Sequence, residues 1–261
     1  MGMYNLRAVL SDRCNYRCVF CSHDFNKCRD TDIDAVFLKE CVKVFAWLGG
    51  KKVTFTGGEP LIYPSLYEVL RLSKSLNLVN AITTNGSMLP FQPEEFYELV
   101  SCLNISMPSF NPKEYQRLTC SSTPLSDIMG NAVKASEHGL RVKVNMVYTG
   151  QDAGIISDMA GKFSAHGIVI KLMNDMIAGE ECYREFLEFA ENFRNDGRVE
   201  IESARNPGLS ICRDCRIPHP TGCPSCRSIW VYPDRRITLC PFDDSVEDDD
   251  ILGRMNRLMN L

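Results

Sequence analysis

Six β-rich runs alternating with helical stretches constrain this chain more than any other feature of its 261 residues. The runs fall at 6–10, 52–56, 79–83, 103–107, 141–148 and 168–173. Between the first two, Thr31-Asp32-Ile33-Asp34 offers a capping box before Val36, Phe37, Cys41, Val44, Phe45 and Leu48, which repeat at helical spacing and stop at Gly49-Gly50. Pro64 opens a second helix through Leu66, Val69, Leu70 and Leu76, and further helical stretches lie near 93–101, 124–138 and 152–166. Strand and helix in turn call for a parallel sheet with crossover helices. The expected fold is therefore α/β, a partial (β/α)6 barrel, with its site on loops leaving the carboxyl ends of the strands. The rhythm stops near Gly197. Residues 1–197 are accordingly read as the barrel and 198–261, rich in Cys, Pro and Arg, as a C-terminal extension folded around metal, because such a segment has little core of its own.

Charge and cysteine usage narrow the function. Lys and Arg number 29 against 33 Asp and Glu, so a net charge of -4 gives no general field toward nucleic acid or an anionic membrane, although a local basic pocket stays open. No apolar run is long enough to span a bilayer, and the first residues lack the basic-then-apolar layout of a signal peptide, so a cytoplasmic location is expected. Of thirteen cysteines, eight sit in two groups, Cys14/Cys18/Cys21 and Cys212/Cys215/Cys223/Cys226/Cys240. An odd count without an export signal, clustered in this way, favours metal ligation over a disulfide framework.

Cys14-Asn-Tyr-Arg-Cys18-Val-Phe-Cys21 puts three thiolates on one loop, enough to bind three irons of a 4Fe-4S cube and leave the fourth open. An open iron can chelate the amino and carboxylate groups of S-adenosylmethionine (SAM) and pass an electron into its sulfonium. A zinc site completed by His23 is the plainer alternative. Gly57-Gly58-Glu59-Pro60 ends the second strand, where glycines let backbone approach a ligand and Glu59 can receive an ammonium group.

The two motifs in this order resemble the radical SAM superfamily, and the resemblance runs from about residue 5 to 175 through Thr83-Thr84-Asn85-Gly86, Asn104-Ile105-Ser106-Met107-Pro108-Ser109 and Val142-Lys143-Val144-Asn145-Met146. It implies cleavage of SAM to a 5′-deoxyadenosyl radical, with Cys14, Cys18 and Cys21 holding the cluster. It also implies that Phe20 lies against adenine, that Gly57, Gly58, Glu59 and Pro60 form part of the SAM site, and that Thr84, Ser106 and Asn145 line its ribose and carboxylate.

In the extension, Cys223-Pro-Ser-Cys226 is followed after thirteen residues by Cys240. The runs 229–232 and 237–239 straddle Pro233-Asp234, so a hairpin is expected to carry Cys240 back beside the Cys223/Cys226 knuckle. The spacing resembles the auxiliary 4Fe-4S site of the GTP 3′,8-cyclases of molybdenum cofactor biosynthesis, a twitch-type layout. Two departures argue against cyclase chemistry itself: Ser228 and Trp230 stand where that family has substrate arginines, and the chain ends without its Gly-Gly tail. Cys212 or Cys215 is a candidate fourth ligand, and a zinc ribbon of Cys212, Cys215, Cys223 and Cys226 is the alternative.

The function expected is hydrogen abstraction from a small phosphorylated, nucleotide-like or sugar-like metabolite, leading to dehydrogenation, rearrangement, epimerisation or sulfur insertion. Such chemistry calls for an electron donor such as flavodoxin or ferredoxin, and an epimerase would need a hydrogen-donating thiol such as Cys120 or Cys182. Modification of a ribosomally made peptide is the rival within enzymes, disfavoured because the first strand begins almost at once; a zinc-ribbon binding module is the non-enzyme rival. His23-Asp24 reads as solvated loop, Lys171 as a weaker substrate contact, and Arg213, Arg216, Arg227, Arg235 and Arg236 as a positive cluster. The acidic residues of 243–250 are expected to cap a final helix.

Overall fold

The structure is a computed structural model that describes residues 5–21, 31–175, 180–202, 228–239 and 250–259. In chain order it contains β1 (Asn5–Val9), α1 (Ala35–Trp47), β2 (Lys52–Thr56), α2 (Leu66–Ser75), β3 (Val79–Thr84), α3 (Glu95–Leu99) and β4 (Cys102–Ser106). These are followed by α4 (Pro112–Thr119), α5 (Leu125–Glu137), β5 (Arg141–Val147), α6 (Ala153–Ser164), β6 (Val169–Met173), α7 (Glu180–Ala190), β7 (Val199–Glu202), β8 (Ser228–Val231), β9 (Ile237–Thr238) and α8 (Ile251–Met259). One sheet takes all nine strands in the order β7-β6-β5-β4-β3-β2-β1-β8-β9. Every pairing is parallel except the β8–β9 hairpin, and the described strands do not close into a ring.

The six expected strands are present as consecutive neighbours, each within a residue or two of its expected bounds. The expectation that the rhythm stops near Gly197 is corrected: β7 continues it, pairing parallel to β6 with Lys171 opposite Glu200 and Met173 opposite Glu202. Two glutamates in four residues mask this strand's character; it is held by its ladder to β6, with the glutamates paired to Lys143 on β5 and Lys171 on β6. The expected hairpin forms as well, with Trp230 opposite Thr238 and Val231 opposite Ile237. Its first strand lies parallel against β1, with Arg7 opposite Trp230. The described parts of 198–261 therefore add to the barrel's own sheet. Ile229, Val231, Ile237, Leu239, Met255 and Leu258 join the same core as Leu6, Phe45, Phe55 and Ile105.

Local chemistry sets the helix starts. Asp34 caps α1 by accepting from the Phe37 amide at 2.8 Å, Asn111 caps α4, and Asp152 caps α6. Asp250 caps α8 through the Gly253 amide at 2.6 Å, so the expected acidic cap is present at its last residue. The helices cover the outer face of the sheet, where Leu6, Ala8, Val53, Phe55, Leu103, Ile105, Val142, Val144, Ile170 and Leu172 are sealed from solvent. None of the described helices is long and apolar enough to cross a membrane.

The inner face is polar. Side chains alternate across a strand, and the register aligns Asn5, Arg7, Lys52, Thr54, Thr83, Asn104, Ser106, Lys143, Asn145, Lys171, Glu200, Glu202 and Trp230 on the side opposite the helices. A hydrogen bond from Thr54 Oγ1 to Asn5 Oδ1 at 3.0 Å and one from Asn104 Nδ2 to Thr83 Oγ1 at 3.4 Å lie on this side. The sheet is also strongly curled. Arg7 on β1 senses the charge of Glu202 on β7, six strands away in the ladder, whereas a flat sheet would separate them by nearly 30 Å at about 4.8 Å per strand. The concave side is thus a lumen lined by these polar side chains.

Candidate active site

The cysteine loop leaves the carboxyl end of β1 and is pinned from three directions. From β2, the Gly58 amide donates to the Ser11 carbonyl at 2.7 Å and the Glu59 amide to the Arg13 carbonyl at 2.8 Å. Beyond β3, Asn85 Nδ2 donates to Asn15 Oδ1, and Asn15 Nδ2 to Ser87 Oγ, each at 2.8 Å. From α4, the carbonyls of Thr119 and Leu118 accept from the Arg17 and Val19 amides at 3.3 and 2.9 Å. Tyr16 is buried beneath the loop with its hydroxyl 3.4 Å from that of Tyr115, and Arg13 is paired with Asp32.

Within the loop the Cys21 amide donates to the Cys18 carbonyl at 3.1 Å, a tight turn, and Cys14 Sγ accepts from the Tyr16 amide at 3.4 Å. All three thiols are half-buried. Burial raises the Cys14 pKa and pushes Cys18 up to about 12, and for Cys18 the charges of Cys21 and Cys14 add to the rise. Three sulfurs that oppose one another's ionisation need a cation to become thiolates together, which is what a metal cluster supplies. Among the described residues no three His, Cys, Asp or Glu side chains converge tightly enough to hold a single metal ion. An iron-sulfur cube meets each thiolate at a different iron and fits this donor set better than one zinc ion does. His23 lies outside the described residues, as do Cys212, Cys215, Cys223, Cys226 and Cys240.

The motif after β2 is packed tightly against the cysteine loop. A side chain at Gly58 would place its Cβ 2.0 Å from the Arg13 carbonyl oxygen, and one at Gly57, whose φ is +132°, would come within 2.7 Å of the Ser11 carbonyl. The glycines therefore let this turn pack against the backbone of the cysteine loop. Glu59 is 0% exposed and its carboxylate is turned inward. Oε1 accepts from the Leu61 amide at 3.0 Å and the Thr84 hydroxyl at 2.7 Å, and Oε2 from the Asn85 amide at 2.9 Å. Burial pushes Glu59 up to about 7 against the pull of those three donors. Pro60 is likewise buried, at the start of a short 3-10 turn.

Thr84, expected near the SAM ribose and carboxylate, is bonded within the protein. It is 2% exposed, and its hydroxyl is committed to Glu59 and to the Gly86 amide, so it does not face the lumen. Strand alternation gives that position to Thr83. Ser106 and Asn145 are neighbours in register at the ends of β4 and β5, on the inner face. The Asn145 Oδ1 atom is buried without a hydrogen-bond partner among the described residues. Phe20 is 42% exposed at the apex of the loop, an apolar ring with a free face.

The basic groups of the lumen were missed in sequence, save Lys171. Arg7, Lys52, Lys143 and Lys171 all project inward, and burial lowers the Arg7 and Lys52 pKa values. For Lys52, nearby Cys102 opposes the shift, while Arg7, Lys143 and Lys171 deepen it, so the four cations share one space. The signal was present as period-two alternation, in Asn5-Leu6-Arg7-Ala8, Arg141-Val142-Lys143-Val144-Asn145 and Val169-Ile170-Lys171-Leu172. Parallel strands covered on both faces by helices read instead as unbroken apolar runs.

A loop of three thiols pinned over the mouth of a curled parallel sheet is the arrangement of a SAM-cleaving iron-sulfur protein. The family model described as the Radical SAM superfamily matches residues 8–152, and the chain belongs to that superfamily. It is 34% identical over 183 residues to the GTP 3′,8-cyclase of Aquifex aeolicus, across 67% of this chain and 57% of that protein. To the GTP 3′,8-cyclase of Limosilactobacillus fermentum it is 29% identical over 194 residues, across 70% and 58% of the two chains. The chain therefore spans less than two thirds of the length of these relatives. Among solved structures, Streptococcus suis SuiB bound to S-adenosylmethionine superposes with a TM-score of 0.72 at 15% identity, covering 96% of this chain and 63% of that one. Native anSMEcpe with bound AdoMet gives 0.67 at 19% identity, covering 99% and 80%. At those identities the likeness is one of fold.

Proposed function

We propose that the protein cleaves SAM reductively and abstracts hydrogen from a small anionic metabolite, phosphorylated or nucleotide-like, seated in the lumen. The observation that carries this reading is the position of the Cys14/Cys18/Cys21 loop above an inner face bearing Arg7, Lys52, Lys143 and Lys171. Cys14, Cys18 and Cys21 would hold the 4Fe-4S cluster. When bound, that cluster supplies the electron that splits the SAM sulfonium into methionine and a 5′-deoxyadenosyl radical. Glu59 and Thr84 act as positioning residues, fixing Asn85 and the loop beneath the mouth. Ser106 and the unpartnered Asn145 Oδ1 stand on the inner face, where SAM and substrate meet. Cations with few acceptors favour phosphates or carboxylates, and Trp230, under the Arg7 guanidinium at 5.1 Å, holds that cation on the inner face.

The auxiliary 4Fe-4S cluster belongs to the same reading. Cys226 stands two residues before β8 and Cys240 two after β9, and an antiparallel pair brings those two ends together. Cys223, with Cys212 or Cys215, would complete that set, and a donor such as flavodoxin or ferredoxin would supply the electrons. Residues 198–261 thus carry the second cluster, and 1–197 the radical machinery.

The test is anaerobic reconstitution with iron and sulfide, followed by SAM and dithionite. Release of 5′-deoxyadenosine, abolished in Cys18→Ala, is the expected result. Zinc without iron in the purified protein, or the product persisting in Cys18→Ala, would refute it.

A further inference from the structure

The lumen's charges are sorted between its two sides. On β7, Glu200 is paired with Lys143 and Glu202 with Lys171, and the Lys171 side chain is only 12% exposed. Lys143 reaches its partner from β5, across the whole width of β6. On the other side, neither Arg7 nor Lys52 has a carboxylate partner among the described residues. Arg7 Nε is buried with no acceptor, and the guanidinium rests on the Trp230 ring. Among the described residues, these four cations against two carboxylates leave a surplus of two positive charges, carried by Arg7 on β1 and Lys52 on β2.

We infer that Glu200 and Glu202 set the charge this lumen accepts: they occupy Lys143 and Lys171, leave Arg7 and Lys52 to hold a single phosphoryl group, and deny a polyphosphate the added affinity its extra charge would otherwise bring. A buried guanidinium Nε lacking an acceptor is an incomplete hydrogen-bonding group, and a phosphoryl oxygen completes it with a charge-assisted bond. A polyphosphate extending toward β5 and β6 must take the lysines from their glutamates or lie against two fixed negative charges, and either disfavours it. The specificity device is therefore one short strand. This inference rests on the lumen being the substrate site, as argued under Proposed function.

Calorimetric titration of the full-length protein with inorganic phosphate and with tripolyphosphate tests it. Wild type should bind phosphate, with tripolyphosphate no more than a few-fold tighter. Glu200→Gln combined with Glu202→Gln should tighten tripolyphosphate about tenfold or more while phosphate moves by less than about threefold, since two repelling charges are gone. An unchanged ratio in that double variant, or tripolyphosphate binding wild type about a hundredfold tighter than phosphate, overturns the inference. Glu200→Asp with Glu202→Asp keeps both charges and should keep the discrimination, and the wild-type ratio decides the matter even if the glutamine pair fails to fold. Arg7→Gln separates the two levels of the argument. Phosphate binding that survives in it, or is absent from wild type, removes the lumen reading and this inference together. Loss in Arg7→Gln with an unmoved ratio in the glutamine pair removes only the charge filter.

Discussion

Replacing Gly58 by alanine places a methyl group 2.0 Å from the Arg13 carbonyl oxygen and 2.5 Å from its carbon, with the Asp12 carbonyl at 3.0 Å. All three obstacles are backbone, so no rotamer change relieves the overlap. The loop has to move off the turn, and two hydrogen bonds then open: Gly58 amide to Ser11 carbonyl at 2.7 Å, and Glu59 amide to Arg13 carbonyl at 2.8 Å. Each such bond, once broken with a partner left unsatisfied, costs about 1–3 kcal/mol, giving about 2–6 kcal/mol in all. That is a large fraction of the roughly 5–15 kcal/mol that holds a domain together. Because the displaced segment carries Cys14 one residue beyond Arg13, the thiols should lose their alignment as well. Urea unfolding of the metal-free protein reads the first effect, and iron content after anaerobic reconstitution reads the second. A Gly58→Ala protein within about 1 kcal/mol of wild type, with full iron, would refute the claim that this glycine exists for the cysteine loop.

The same substitution elsewhere should have the opposite sign. Gly130 lies inside α5 with open space around its Cβ position, so Gly130→Ala should stabilise the protein by about 0.5–1 kcal/mol in urea unfolding. Asp34→Ala removes the cap from the Phe37 amide and should cost about 1 kcal/mol; an unchanged midpoint would show the cap to be idle. Glu59 gives a pH signature. Its folded pKa of about 7 lies above an unfolded value near 4, so the folded state holds a proton that the unfolded state has released. Its contribution to stability is therefore most favourable below about pH 4, falls as pH rises toward 7 and is flat above. The stability difference between wild type and Glu59→Gln, measured on the metal-free protein from pH 5 to 8, should drift against wild type as pH rises, and a constant difference would exclude this titration.

Much of this arrangement is legible in the chain because its causes are local. Asp34 begins α1, and Leu6, Val53, Leu103, Val142 and Ile170 mark buried strands by residue type alone. Cys14, Cys18 and Cys21 share a loop by their spacing. What could not be read depends on which residue meets which across the sheet. Thr83 and Thr84 are interchangeable in sequence, and only the pleat decides that Thr84 turns to Glu59 while Thr83 faces the lumen. Val199-Glu200-Ile201-Glu202 has neither the length nor the composition of a persuasive strand, and its lysine partners lie about 30 and 60 residues back in the chain.

The sequence by itself determined the βα alternation, the cysteine loop and the glycine pair, since periodicity, capping and the absence of a side chain act over a few residues. Only the tertiary structure decided what those glycines are for and where the charges gather. Curling the sheet brings Arg7 on β1 and Glu202 on β7 across one lumen, and it packs the Gly57-Gly58 turn onto backbone more than forty residues earlier in the chain. Such encounters are fixed by register and curvature, which belong to the assembled sheet and to no single segment of it.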